Sequence, residues 1–276
     1  MISNSINTNV GAMIALQNLS ATNMDLSQTQ NRISTGLKVQ SAKDNGAIWA
    51  IAQGQRATSA SLDAVTDSLN RASSVIDVAL SAGGTVSDLL TQMKAKALAA
   101  SDASLDSASR SALNEDFKSL RDQIAKVVAN ADFNGANLLK TGATDITALA
   151  NADGTSRMTA NAEVMALGGT VVTVGAAATI NSAATASAMI ATVNTSINNV
   201  SASLARLGTK SKAFQSHMSF VAKLKDTIDA GVGNLVDADL AKESAKFQAL
   251  QTKQQLGVQA LSIANQAPTA ILGLFR

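Results

Sequence analysis

Residues 193–235 read VNTSINNVSASLARLGTKSKAFQSHMSFVAKLKDTIDAGVGNL. Every seventh position is apolar: Val193, Val200, Leu207, Phe214, Val221, Ile228 and Leu235. A second line, four residues behind the first, runs Ile197, Leu204, Ser211, Met218 and Lys225, apolar early and frayed late. A repeat of seven held this long predicts one long helix with a narrow seam that must pair with another helix. Burial of such side chains contributes on the order of 1.5–3 kcal/mol each before chain entropy is subtracted. The partner lies elsewhere in the chain or in another copy.

Partners are visible upstream. Leu62, Val65, Leu69, Ala72, Ile76 and Ala79 follow three-then-four spacing, as do Leu113, Phe117, Leu120, Ile124 and Val127. The spacing predicts a first helix from about Ala57 to Ala100 that carries Gly83-Gly84 as a flexible joint, at some cost in helix stability. Ser101-Asp102-Ala103-Ser104 supplies a break and the cap of the next helix, which ends in an Asn-Gly turn at Asp132-Phe133-Asn134-Gly135. Between about Lys140 and Ala183 the periodicity vanishes, and the β-branched run Thr170-Val171-Val172-Thr173-Val174 predicts a short insertion with one or two hairpins, small enough to form an outward lobe. The fold class is therefore mainly α: a long antiparallel helical bundle or coiled-coil rod with a small β-containing insertion.

Composition agrees. Aromatic residues make up 3 %, with Trp49 the single Trp, and the one Pro is Pro268, so long helices with small side chains suit the chain better than a thick globular core. A net charge of +2 without basic blocks argues against a nucleic-acid partner. The absence of Cys removes disulfides and thiolate metal sites. No stretch is long and apolar enough for membrane insertion, and the N-terminus has neither the basic start nor the apolar core of an ordinary signal peptide.

The two ends share a character. Ala12, Leu19, Leu26 and Ile33 step by seven, with Leu16 and Leu37 beside them; at the back, Asp237 and Asp239 precede Leu240, Phe247, Leu250, Leu261 and Ala264. Residues 1–31 hold one charged side chain, Asp25, and residues 254–275 hold none. Gln and Asn in place of Lys and Glu keep a surface polar without like-charge repulsion when identical copies stack. The expected sites are accordingly self-assembly seams at Leu19, Leu26, Ile33, Leu240, Phe247, Leu250 and Leu261, together with the long seam from Val193 to Leu235.

These ends resemble bacterial flagellin. Ile6-Asn7-Thr8-Asn9, Asn18-Leu19, the run Arg32-Ile33-Ser34-Thr35-Gly36-Leu37-Lys38-Val39 and Ser41-Ala42-Lys43-Asp44 look like its N-terminal signature, and Phe133-Asn134-Gly135 before Leu138-Leu139 is similar to its second rod-helix turn. Arg206-Leu207-Gly208, Asp237 to Glu243, Ala264-Asn265-Gln266-Ala267-Pro268 and Leu272-Gly273-Leu274-Phe275-Arg276 resemble its C-terminal half. The resemblance implies an inner, tube-lining domain from residues 1–50 and 233–276, and a rod domain over 51–232 with its insertion near 141–182. It also implies an extracellular filament subunit for swimming, exported by the flagellar type III apparatus without a cleaved signal. Its partners would be itself, an export chaperone, the filament cap and hook-junction proteins. A hook-filament junction protein is the near alternative, and a secreted translocator the distant one.

Two departures stand out. Asp44-Asn45-Gly46-Ala47-Ile48-Trp49 replaces the acidic pair and small residues usual after the Ser-Ala-Lys motif, leaving Trp49 as either a joint anchor or an ordinary packed aromatic. Gln92-Met93-Lys94-Ala95-Lys96-Ala97 replaces a surface that an innate Toll-like receptor reads, which predicts weak activation of that receptor. No constellation supports catalysis, a cofactor or a metal. His217 is expected at a solvated helix position, Asp237 and Asp239 at a helix start, and Met93 and Met218 on packed apolar stripes.

Overall fold

The computed structural model describes residues 8–272, with side chains of the last helix as far as Gln266; the motif residues Ile6, Asn7 and Gly273–Arg276, and the side chains of Ala267, Pro268 and Leu272, lie outside the described set. Five helices account for most of the described residues: α1 (Val10–Thr35), α2 (Gly46–Ala100), α3 (Ser107–Asn130), α4 (Ala183–Val236) and α5 (Leu240–Leu272). A hairpin, β1 (Ile146–Leu149) and β2 (Arg157–Ala160), lies between α3 and α4, with Ile146 opposite Ala160 and Leu149 opposite Arg157. Two compact units result, residues 58–226 in one and residues 1–57 with 227–276 in the other.

The 58–226 unit is built on α2 and α4, which run antiparallel: Lys225 pairs with Asp63, the Ser211 hydroxyl donates to Asp77, and Leu204 lies against Gly83. All six stripe residues from Leu62 to Ala79 are buried, as are Val193, Val200, Leu207, Phe214 and Val221. The second line of α4 begins one residue earlier than the sequence suggests and meets the expected line at Ser211, which is buried. Ser196 and Ser203 are fully buried, whereas Ile197 and Leu204 are half-buried. An α-helix turns every 3.6 residues, so a straight seven-residue repeat drifts round the helix and small side chains fill the closest approach. On α3 the buried stripe is Asn114, Phe117, Ile124 and Val128, with Leu113, Leu120 and Val127 at its margin.

Helix ends follow local chemistry. Gly83-Gly84 is no joint: α2 passes through it unbroken, and Gly83 supplies close packing. The α3 cap is Asp106, whose carboxylate accepts from the Ser109 N–H at 2.8 Å, while Asp102 closes the preceding turn by accepting from Ser104. After α3, Phe133 and Ala136 exchange both backbone hydrogen bonds around Asn134 and Gly135, whose φ values of 52° and 81° define a tight turn with both central residues left-handed.

The insertion is a strap along the helices, not an outward lobe. The Leu149 N–H donates to the Ser68 hydroxyl of α2, the Ile180 N–H to Asn114 of α3, and the Thr173 N–H to Ser196 of α4. Thr170–Val174, expected to be a strand, forms none; Val171, Val172 and Val174 are buried there, so their β-branched shapes serve packing. Glu163 is held by a bidentate pair with Arg206 at 2.6 and 2.7 Å. His217, expected in solvent, lies 2.8 Å from the Ala150 carbonyl and stacks at a tilt with Phe220.

Candidate self-assembly surface

The other unit places the chain's two ends side by side. Asn9 caps α1, accepting from the Ala12 N–H at 3.0 Å, and Gly36 ends it with φ 72°, donating to the Arg32 carbonyl. Asp239 caps α5, accepting from the Ala241 and Lys242 N–H groups at 3.0 and 3.1 Å, as its place before Leu240 suggests. Between these caps the helices run antiparallel. The Asn9 amide donates to the Ala264 carbonyl at 2.7 Å, Leu19 fits over Gly257, Gln254 donates to Asn23 at 2.7 Å, and Arg32 to Glu243 at 3.2 Å.

At the base of the pair a short crossing fixes the chain. Leu37 and Asp237 form an isolated antiparallel bridge, the Ala238 N–H donates to the Gly36 carbonyl, and the Lys38 and Val39 N–H groups share the Val236 carbonyl. A small core gathers there from Val39, Ala52, Val232 and Val236, with Leu37, Ile48, Trp49, Ile228 and Leu235 packed against it. Trp49 is thus a partly buried member of this core, and Ile228 and Leu235, the last two positions of the seven-residue seam, belong to it too. The Ser41–Asp44 motif is a turn: the Asp44 carboxylate accepts from the Ser41 and Gln40 N–H groups at 2.9 and 3.0 Å and from the Ser41 hydroxyl. Those backbone donors, Ser41 first, hold its pKa below the ordinary carboxylate value.

The seam between α1 and α5 is thin. Of the expected residues, Leu250 is buried, Leu19, Leu26, Ile33, Phe247 and Leu261 are half-buried, and Leu240 is exposed. The buried residues of α1 are Thr22 and Thr29, which sequence reasoning missed; they too stand seven apart, one step round the helix from the Leu line. Thr22 satisfies its hydroxyl on the Asn18 carbonyl. Meanwhile Met13, Ile14, Leu16 and Met24 of α1 and Leu256, Val258 and Ile263 of α5 are more than half exposed, and a shallow groove of about 250 Å³ runs between the helices past Leu19 and Gly257. Isolated apolar residues on a surface are ordinary, but seven large ones, on a helix pair with no charged residue before Asp25 in α1 or after Lys253 in α5, are not.

A helix pair that buries so little and exposes so much apolar surface has the character of a self-associating structural subunit. Residues 6–144 match the bacterial flagellin N-terminal helical region and residues 190–275 the bacterial flagellin C-terminal helical region. Over its full length and theirs the chain is 59 % identical to flagellin FljK and 58 % to flagellin FljM of Caulobacter vibrioides, and it is 37 % identical to a flagellin of Brucella melitensis over 99 % of each. The chain belongs to the bacterial flagellin family, and its function is that of a structural subunit of the flagellar filament, outside the cell. The mainly α fold is the one the seven-residue repeat predicts, and its small β hairpin lies in the stretch where that repeat vanishes. No helix among the described residues is long and apolar enough to cross a membrane.

Proposed function

We propose that copies of this chain stack through the outer faces of α1 and α5, and that these helices form the inner, tube-lining domain of the filament. The observation that carries this reading is the row of exposed large apolar side chains on helices already paired with each other: Met13, Ile14, Leu16 and Met24 on one, Leu256, Val258 and Ile263 on the other. Leu19, Leu26, Ile33, Phe247, Leu250 and Leu261 hold the pair together, and Leu240 joins the outward set. Residues 51–232 supply the rod, stabilised by the seam that starts at Val193. The role is mechanical, without catalysis or a cofactor. Export through the flagellar type III apparatus, with a chaperone, the filament cap and hook-junction proteins as partners, follows from the family.

Seeding separates this role from that of a junction protein. Purified subunit added to sheared filament fragments elongates them, as seen by electron microscopy; failure to elongate refutes the proposal. Innate-receptor activation is expected to be weak. On the face concerned, Lys96 is engaged with Asp116 at 2.6 Å and Met93 is buried. A strong response to monomer in a receptor reporter assay contradicts that expectation.

A further inference from the structure

The α1–α5 pair contains one polar cluster that does not resemble the rest of the seam. Arg32 donates from Nη1 to Glu243 Oε1, and both side chains are mostly buried. Thr29, one turn before Arg32, is fully buried. Among the described residues, the buried side-chain atoms without a hydrogen-bond partner are Thr29 Oγ1, Arg32 Nε and Glu243 Oε2, all three in this cluster. A withdrawn ion pair that leaves hydrogen-bonding atoms unmatched adds little stability, because desolvation of both charges offsets their attraction. Its use lies in what it forbids: an alignment that buries either charge without the other is strongly disfavoured.

That matters because, apart from Leu19 over Gly257 and Asn9 on the Ala264 carbonyl towards the far end, the remaining contacts discriminate poorly. Apolar burial is thin, with Leu250 the buried hydrophobic residue of α5. The Asn23–Gln254 hydrogen bond is neutral, and α5 offers Gln248, Gln251, Gln255 and Gln259 within about two turns, any of which can replace Gln254 after a slide. Arg32–Glu243 has no such substitute. It is the only ion pair between α1 and α5 among the described residues. Moving α5 one way brings Lys246 or Phe247 opposite Arg32; moving it the other way brings Asp239, whose carboxylate already caps the helix.

We infer that Arg32 and Glu243, with Thr29 one turn before Arg32, are positioning residues that set the register of the α1–α5 pair and so how the exposed apolar side chains of the two helices line up for assembly. The bridge between Leu37 and Asp237 anchors the base of the pair; the ion pair carries that alignment into the helices, where a slide of one turn moves the outward side chains of one helix about 5 Å along those of the other. The inference concerns pairing within one chain and rests on the reading of α1 and α5 as the assembly helices only for its consequence.

The chain has no Cys, so introduced thiols report register without background. Full-length variants carry Asn23→Cys with Gln254→Cys for the observed register, or with Gln251→Cys or Val258→Cys for slides in either direction. Each is treated with a short thiol crosslinker. In the native background the 23–254 product dominates. With Arg32→Met and Glu243→Leu, which keep volume and remove charge, the slipped products rise about tenfold relative to 23–254 while helical circular dichroism is unchanged. The exchanged pair Arg32→Glu with Glu243→Arg restores the single product. A single register in the Met/Leu background overturns the inference. So does loss of the 23–254 product without gain of slipped ones, which is what a merely stabilising pair gives. Seed elongation by the native chain is scored separately, so failure of the assembly reading leaves this result interpretable.

Discussion

Gly83 of α2 faces Leu204 of α4 so closely that a Cβ built at position 83 stands 2.7 Å from Leu204 Cδ2 and 3.3 Å from Met165 Cε. Its neighbour Gly84 has nothing within 4 Å of the corresponding point. Two adjacent glycines in one helix therefore have opposite roles. Gly83→Ala pushes the ends of the Leu204 and Met165 side chains aside, a strain of about 1 kcal/mol that offsets the gain in helix propensity. Gly84→Ala keeps that gain and stabilises by up to about 1 kcal/mol. Denaturant midpoints followed by helical circular dichroism check both, and equal effects of the two substitutions would contradict the packing.

The insertion is pinned to α4 by Glu163 and Arg206, with the carboxylate nearly buried and the guanidinium more than half exposed. Removing the Arg leaves a withdrawn carboxylate without its two donors; removing the charge on Glu163 leaves an Arg that water can still reach. Arg206→Met is therefore the worse change, by roughly 1–2 kcal/mol after allowing for solvent screening, and Glu163→Gln the milder one. Limited proteolysis within residues 141–182 reads the difference directly. Faster cutting in Glu163→Gln than in Arg206→Met reverses the expectation.

What the sequence made legible was what repeats. Apolar stripes on α2 and α4 repeat over many turns, so errors average out, and Leu62 to Ala79 and Val193 to Val221 are buried as the spacing requires. Polar residues that pack were not legible. Ser196, Ser203, Thr22 and Thr29 are buried because helices approach closely there, and nothing in a hydroxyl's chemistry announces that. The insertion misled for a related reason. Val171, Val172 and Val174 have strand-forming shapes, but the main-chain groups near them are taken by α4 side chains, as Thr173 to Ser196 shows. The hairpin forms instead at Ile146–Leu149 and Arg157–Ala160. Of the proposed assembly surface, the nearly uncharged ends were readable from composition, whereas the Arg32–Glu243 contact joins residues too far apart in the chain for spacing to reveal.

Acid acts on three turns together. Asp44, Asp102 and Asp106 each have a pKa below the ordinary value of 3.8, caused first by the backbone N–H groups of Ser41, Ser104 and Ser109 respectively. A carboxylate whose pKa is depressed on folding contributes stability that is complete above its unfolded value and is lost as pH falls through the folded one. These turns are therefore intact at neutral pH and weaken below pH 3.8. Asp106→Asn, which keeps a capping oxygen without the charge, flattens this part of the acid response while retaining the cap at pH 7. Amide exchange at Ser109, followed by NMR from pH 7 downward, shows protection falling in the native chain and a weaker pH dependence in the variant. Identical profiles in both count against the carboxylate's role.

Pairing of the ends and stacking of copies are separable, because the two use different faces. Leu250 is 7 % exposed and sits within the α1–α5 seam, whereas Leu256, less than two turns further along α5, is 59 % exposed. Leu250→Lys places a charge in the seam and costs more than about 2 kcal/mol, enough to part helices that bury so little. Combined with Leu26→Lys it abolishes pairing outright, while the 58–226 unit, with its own core, remains helical. Leu256→Lys changes the stability of the isolated subunit by no more than about 0.5 kcal/mol, since its side chain is already in water. Yet it puts a like charge on every copy at the surface we propose for contact between copies, so seeds fail to elongate. Thermal melts and seeded growth, measured on the same preparations, distinguish the two. Filaments growing normally from Leu256→Lys would remove the exposed face of α5 from the contact between copies, and those growing from Leu26→Lys with Leu250→Lys would show that assembly needs no paired ends.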